Sequence, residues 1–152
     1  FEALSETKKY FVVILPNNDP GSHEIKNVIN KLDNFYFRVI PSMRFNYFSE
    51  LMKNTSIFIG NSSAGVREAP FLGVPSIDIG TRQTNRAMAD SVSFAKASDK
   101  TKIINLVNAN WNQRFTRDSA YGFGNASRRF VEILENDSFW KCSMQKYFTD
   151  SE

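Results

Sequence analysis

Gly60-Asn-Ser-Ser-Ala-Gly-Val-Arg-Glu-Ala-Pro70 follows directly on a short apolar run, Ser56-Ile-Phe-Ile59. Asn61, Ser62 and Ser63 carry side-chain oxygens of the kind that cap the N-terminus of a helix. The free backbone N–H groups and the positive dipole end of such a helix favour an anion, and phosphate is the natural ligand. The stretch therefore predicts a strand-turn-helix junction of an α/β fold, with a phosphate site at its two serines.

Glu68 comes five residues after Ser63, about one and a half turns into the predicted helix. A carboxylate at that position can accept two hydrogen bonds from the hydroxyl groups of a sugar. A phosphate beside a sugar indicates a nucleotide. The alternative interpretation is that the serines only cap a helix and that Glu68 is a solvated acid of its first turn.

A second apolar strand with a polar loop follows, Gly73-Val-Pro-Ser-Ile-Asp-Ile-Gly-Thr-Arg-Gln83. Consecutive parallel strands of an open α/β sheet end at the same edge, where ligands bind. We therefore expect Arg82 to face the same crevice as Ser62. Pairing of Arg82 with a nearby acid such as Asp78 is the alternative.

The whole chain alternates strand-like and helix-like segments. Strands are predicted at 10–15, 35–40, 56–59, 75–79 and 91–94. The first of these is a continuous apolar run, which is typical of a strand buried on both faces. Helices are indicated by apolar spacing after Ser22, around Phe45 to Met52, around Ile103 to Val107 and over 126–134, in addition to the helix that carries Glu68. This order predicts an α/β fold with a doubly wound parallel sheet and right-handed crossovers.

Two details of these helices are also predicted. Ile25, Val28, Ile29 and Leu32 have the spacing of one helix face, and Ser22 is the expected cap. Phe45 has the spacing of a core residue. The aromatic segment 139–148 is expected to form a last helix, and residues 1–9 resemble the last two turns of an amphipathic helix.

Composition excludes several classes of function. The net charge of +3 is too small to indicate a nucleic-acid partner. A lone Cys142 excludes an intrachain disulfide and suggests a reducing, cytoplasmic location. With one His and one Cys, a zinc site is not expected, and neither is any other metal or cofactor. No apolar run approaches the roughly 20 residues of a membrane span, so no membrane partner is expected.

Three motifs, in order, carry a resemblance to a known family. They are Leu15-Pro-Asn-Asn-Asp-Pro-Gly-Ser22, the run from Gly60 to Gln83, and Tyr121-Gly-Phe-Gly-Asn-Ala-Ser127. In all three the chain resembles the UDP-N-acetylglucosamine 2-epimerase family. Gly-Asn-Ser-Ser together with Gly-Thr-Arg-Gln is similar to the hydrolysing branch, which releases N-acetylmannosamine and UDP for sialic-acid biosynthesis.

The resemblance implies two Rossmann-like domains that face each other across a cleft, as in the glycosyltransferase-B arrangement. Residues 1–152 would be most of the second, C-terminal domain, with its first strand before Phe1. Residues 136–152 would form a helix that packs back toward the first domain. The carboxylates that act as acid and base would lie in that first domain, so the chain alone would be inactive, and the full-length protein would be a homodimer.

The resemblance also implies nucleotide-binding residues, which are Asn17, Met43, Ser62, Ser63, Glu68 and Arg82. The serine pair would hold the diphosphate, Glu68 the ribose hydroxyls, and Met43 or its backbone the uracil. Packing on this base is the alternative to a core role for Phe45. Two other functions stay open, the donor-binding domain of a glycosyltransferase of the same fold and a non-catalytic nucleotide-sugar sensor. The sugar also stays open, since epimerases of UDP-2,4-diacetamido sugars share this pattern.

Overall fold

The computed structural model describes residues 1–16, 21–86, 89–141, 143 and 145. The chain forms two compact units, Phe1–Asp118 and Ser119–Glu152. The elements of the first unit are α1 (Glu2–Glu6), β1 (Phe11–Ile14), α2 (Ser22–Ile29), β2 (Phe37–Ile40), α3 (Phe45–Asn54), β3 (Phe58–Gly60), a 3₁₀ turn (Ser63–Gly65), α4 (Glu68–Phe71), β4 (Ser76–Ile79), β5 (Val92–Ala95) and α5 (Lys100–Asn110). The second unit contains α6 (Ala126–Leu134) and α7 (Asp137–Trp140).

All described strand pairs are parallel, as the alternation of strands and helices predicts. β1 pairs with β2, and β3, β4 and β5 form a second group in that order. In the doubly wound order 3-2-1-4-5-6, all strands belong to one sheet. The fold is α/β and Rossmann-like, but the single sheet expected from the sequence is two sheets among the described residues.

The β3-β4-β5 sheet is covered on both faces. On one face, α1 and α5 contribute to a buried cluster that consists of Ala3, Ile57, Ile77, Ala95, Ile103 and Val107. On the other face, α3, α4 and the 3₁₀ turn contribute to a cluster of Met52, Ala64, Ala69 and Val74. Because side chains alternate along a strand, Ser76 and Asp78 lie on this second face, opposite Ile77. The polar loops at the carboxyl ends of β3 and β4 are therefore held by a well-packed core.

The β1–β2 sheet is less buried than the sequence predicts. Val12 is 45% exposed and Val39 is 36% exposed, so the expectation that β1 is buried on both faces is wrong. The physical reason is that a two-stranded sheet has few neighbouring elements to cover it. α2 shows the same effect, since Ile29 is buried while Ile25 and Val28 are exposed.

Two further expectations need correction. Ser22 is the first residue of α2 and not its cap, because Gly21 takes the cap position with a left-handed φ of 85°. Phe45 is not a core residue, because it opens α3 on the side turned to solvent and is 68% exposed. The predicted last helix ends at Trp140, the C-terminal residue of α7, and much of 139–148 lies outside the described residues.

Candidate functional site

The segment after β3 is a tight turn with a serine cap. Ser62 is the N-cap of the 3₁₀ turn, and its hydroxyl oxygen accepts a hydrogen bond of 3.3 Å from the Ala64 N–H. The backbone carbonyl of Ser62 accepts from the Gly65 N–H at 3.0 Å. The capping role predicted for this serine is therefore confirmed.

The continuous helix predicted after the serines is wrong. A three-residue 3₁₀ turn ends at Gly65, and a separate four-residue helix, α4, begins at Glu68. Val66 and Arg67 lie between the two with backbone angles that depart from a regular helix. Because each segment contains so few aligned peptide groups, its helix dipole is small. Binding of an anion at this turn would depend more on local N–H groups and nearby cations than on a macrodipole.

Gly65 explains how closely the turn approaches the sheet. A Cβ atom at this position would lie 2.7 Å from Ser76 Oγ and 2.9 Å from the ring of Phe58. Only glycine therefore lets the turn lie directly on β3 and β4. This contact fixes the height of Ser62 and Ser63 above the sheet.

Glu68 is not the solvated first-turn acid of the alternative interpretation. Its side chain is half-buried, and its Oε2 atom is buried without a hydrogen-bond partner among the described residues. A buried carboxylate oxygen that has no partner is costly unless something else donates to it. Glu68 thus has acceptor capacity to spare, at the start of α4 and one short turn away from Ser63.

The loop after β4 begins at Gly80, whose φ of 97° is a left-handed conformation that favours glycine. Two backbone hydrogen bonds then shape residues 81–86, from the Thr84 N–H to the Thr81 carbonyl at 3.2 Å and from the Arg86 N–H to the Gln83 carbonyl at 3.1 Å. Arg82 is exposed on this loop. Its side chain is therefore accessible to a ligand from solution.

Gln83 links the two loops. This side chain is only 1% exposed, and its Nε2 atom donates a hydrogen bond of 2.9 Å to the backbone carbonyl of Asn61. The residue beside Ser62 is thus tied to the residue beside Arg82, so the expectation that both loops meet at one edge of the sheet is confirmed. The sequence reasoning missed this role of Gln83, although the residue ends the Gly-Thr-Arg-Gln motif.

Asp78 is buried at the end of β4. It is 2% exposed, and neither carboxylate oxygen accepts a hydrogen bond from the described residues. Asp78 is therefore not a hydrogen-bond acceptor for Arg82 among the described residues. Burial raises the pKa of Asp78, because the interior disfavours its charged form.

The other two predicted positions are not joined to the turn by a described contact. Met43 is half-buried in the segment before α3, and α3 packs against α4, which carries Glu68. Asn17 lies outside the described residues. The structure therefore brings together Ser62, Ser63, Glu68 and the Arg82 loop.

Two negative findings apply to the described part of the chain. No group of His, Cys, Asp and Glu side chains there has the arrangement of a metal site. None of its helices has both the length and the apolar character to cross a membrane.

Parallel strands with helices on both faces and polar loops at their carboxyl ends define a Rossmann-like α/β domain. The model of the family described as UDP-N-acetylglucosamine 2-epimerase matches residues 1–135. Since this match covers most of the chain, the chain belongs to the UDP-N-acetylglucosamine 2-epimerase family.

Similar proteins agree with this membership. The UDP-N-acetylglucosamine 2-epimerase of Neisseria meningitidis serogroup B is 39% identical, over 99% of this chain and 41% of the relative. The UDP-N,N′-diacetylbacillosamine 2-epimerase (hydrolyzing) of Legionella pneumophila is 27% identical, over 88% of this chain and 36% of the relative. The chain thus spans about two-fifths of the length of these relatives.

A solved structure shares the fold. The crystal structure of Methanocaldococcus jannaschii UDP-GlcNAc 2-epimerase in complex with UDP-GlcNAc and UDP matches with a TM-score of 0.70 and 22% identity. The match covers 88% of this chain and 38% of the neighbour. At this identity the likeness shows the fold alone.

Proposed function

We propose that the chain is the nucleotide-binding domain of a UDP-N-acetylglucosamine 2-epimerase of the hydrolysing type. The observation that carries the proposal is the Oε2 atom of Glu68, which is buried beside the Ser62–Ser63 turn and has no hydrogen-bond partner among the described residues. A nucleotide would supply what this atom lacks, since ribose hydroxyls are donors and a carboxylate oxygen is an acceptor. Family membership adds the nucleotide sugar as the expected ligand class.

Each residue of the site has a role in this proposal. Ser62 and Ser63 donate hydrogen bonds to the diphosphate, and Glu68 accepts from the ribose hydroxyls. Arg82 supplies a planar guanidinium, which matches phosphate oxygens with two parallel hydrogen bonds. Met43 and its backbone hold the uracil, and Asn17 is a further contact to the nucleotide.

The proposed reaction uses this domain as a clamp on the leaving group. Removal of the C2 proton of UDP-N-acetylglucosamine and anti elimination of UDP give a glycal, and addition of water then inverts C2 and releases N-acetylmannosamine. Negative charge builds up on the diphosphate as the bond to C1 breaks. Arg82 and the donors of the Ser62 turn stabilise that charge, which lowers the barrier to departure.

The acid and base of the reaction belong to a further domain of the protein. The chain spans about two-fifths of its relatives, which leaves room for such a domain. The chain alone would therefore bind UDP and turn over no sugar nucleotide.

Two observations support the hydrolysing type over the non-hydrolysing one. The Gly60-Asn-Ser-Ser63 and Gly80-Thr-Arg-Gln83 motifs resemble those of the hydrolysing branch. The Legionella pneumophila relative is named as hydrolyzing. The proposed cellular role is to supply N-acetylmannosamine, the precursor of sialic acid, in the cytoplasm.

Product analysis of the two-domain protein tests the reaction type. Incubation with UDP-N-acetylglucosamine should release free N-acetylmannosamine and UDP, both of which chromatography resolves. UDP-N-acetylmannosamine as the product would instead mean the non-hydrolysing type. Binding without any product would favour a nucleotide-sugar sensor, and transfer of the sugar to an acceptor would mean a glycosyltransferase.

A further inference from the structure

We infer that Gln83 is a positioning residue, whose buried amide holds the Ser62 turn and the Arg82 loop at the separation that a diphosphate requires. This inference rests on the proposed function, because it concerns the same nucleotide site. It assigns Gln83 no contact with the ligand. The residue acts through the backbone of Asn61 and through its own place next to Arg82.

The geometry joins two loops that are distant in sequence. Gln83 Nε2 donates to the Asn61 carbonyl at 2.9 Å, across 22 residues of chain. The other end of the same amide is also engaged, since Oε1 accepts from Arg86 Nη1 at 3.4 Å. Gln83 is 1% exposed, so its amide group is shielded from bulk water. A buried amide with both ends bonded fixes its surroundings more strongly than an exposed one.

The bond to Asn61 also orients a donor of the turn. The peptide unit is planar and trans, so its C=O and N–H groups point in opposite directions. Holding the Asn61 carbonyl toward Gln83 therefore directs the Ser62 N–H away from Gln83. A backbone donor with a fixed direction binds an anion without a cost of reorganisation at the moment of binding.

Gln83 and its neighbour Arg82 point to opposite sides of the same loop. Arg82 is exposed while Gln83 is buried, so the same short loop presents a cation outward and an amide inward. Loss of the hydrogen bond from the Gln83 side chain would leave β3 and β4 paired, because their backbone pairing runs from Phe58–Ser76 to Gly60–Asp78. The defect should thus be confined to the loops beyond the strand ends.

The test compares UDP with uridine, which lacks the phosphates. Gln83→Glu keeps an acceptor for Arg86 but removes the N–H that serves Asn61, and Gln83→Met removes both. Gln113→Glu is the matched control, since Gln113 is exposed on a loop of the same unit. Affinities of the 152-residue chain for UDP and uridine are measured by ligand-observed NMR titration, with thermal unfolding of every variant as the check of folding.

Both Gln83 variants should bind UDP about 10-fold more weakly than the wild type while their affinity for uridine stays within about twofold. The control should bind both ligands as the wild type does. UDP affinity unchanged in both variants, or an equal loss for UDP and uridine, would overturn the inference. A wild-type chain that binds neither ligand would overturn the proposed function itself, which is a different result.

Discussion

Gly60 and Asp78 are register partners on neighbouring parallel strands, so the buried carboxylate of Asp78 lies beside a position that has no side chain. Both residues are the last or nearly the last of their strands, directly below the two loops of the candidate site. The carboxylate accepts no hydrogen bond from the described residues, and burial raises its pKa. Asp78 therefore couples the stability of this region to pH.

We expect Asp78→Asn to change how stability depends on pH. The folded-state pKa of Asp78 lies above the ordinary 3.8. The folded state therefore binds the proton more tightly than the unfolded state, and wild-type stability falls as pH rises from about 4 through the folded-state pKa. Asparagine has no charged form, so the variant should gain on the wild type across this range.

Urea unfolding of both proteins at a series of pH values measures this difference. The gain of Asp78→Asn should grow with pH and then level off above the folded-state pKa. A difference in unfolding free energy that does not vary with pH would show that Asp78 titrates alike in both states.

Gly65→Ala tests the close approach of the 3₁₀ turn to the sheet. The added Cβ would lie 2.7 Å from Ser76 Oγ and 2.9 Å from the Phe58 ring, so the turn must rise or the core must shift. We expect a loss of about 1–3 kcal/mol in unfolding free energy, as for other overpacked sites. Urea unfolding gives this number, and a variant as stable as the wild type would mean that the turn is not held against the strands.

Arg82→Lys tests the leaving-group clamp in the two-domain protein. Lysine keeps the positive charge but loses the planar fork that matches two phosphate oxygens. Charge on the diphosphate grows as UDP departs, so the defect should fall on kcat, by about 10-fold, more than on KM. Steady-state kinetics with UDP-N-acetylglucosamine separates the two parameters. A wild-type kcat in Arg82→Lys would show that the guanidinium of Arg82 does not stabilise the departing diphosphate.

Much of the fold could be predicted from the sequence because the signals are local. The β-branched and aromatic runs at 10–15, 35–40 and 75–79 contain β1, β2 and β4, and Ala126–Leu134 is a helix with the predicted bounds. The split of the strands into two sheets could not be predicted, because sheet order depends on long-range pairing that periodicity does not encode.

The candidate site was predictable in its residue types and less so in its geometry. Ser62 caps a turn as its side-chain chemistry indicates, and Asn61 meets the loop of Arg82 because β3 and β4 are parallel neighbours. The short 3₁₀ turn depends on Gly65 packing against Phe58, which is a tertiary contact. Gln83 gave no sign of burial in the sequence, since glutamine is usually exposed.

The most direct test of the central claim, that this chain binds UDP through Glu68, is calorimetric titration with UDP and with its 2′,3′-dideoxy analogue. Glu68→Gln places an amide donor opposite a hydroxyl donor, which costs roughly 1–3 kcal/mol. UDP affinity should therefore fall about 5- to 150-fold, and affinity for the dideoxy analogue should hardly change. Glu24→Gln, at an exposed acid of the first turn of α2, is the control and should bind UDP normally. UDP affinity unchanged in Glu68→Gln would contradict the claim and return Glu68 to the role of a structural acid.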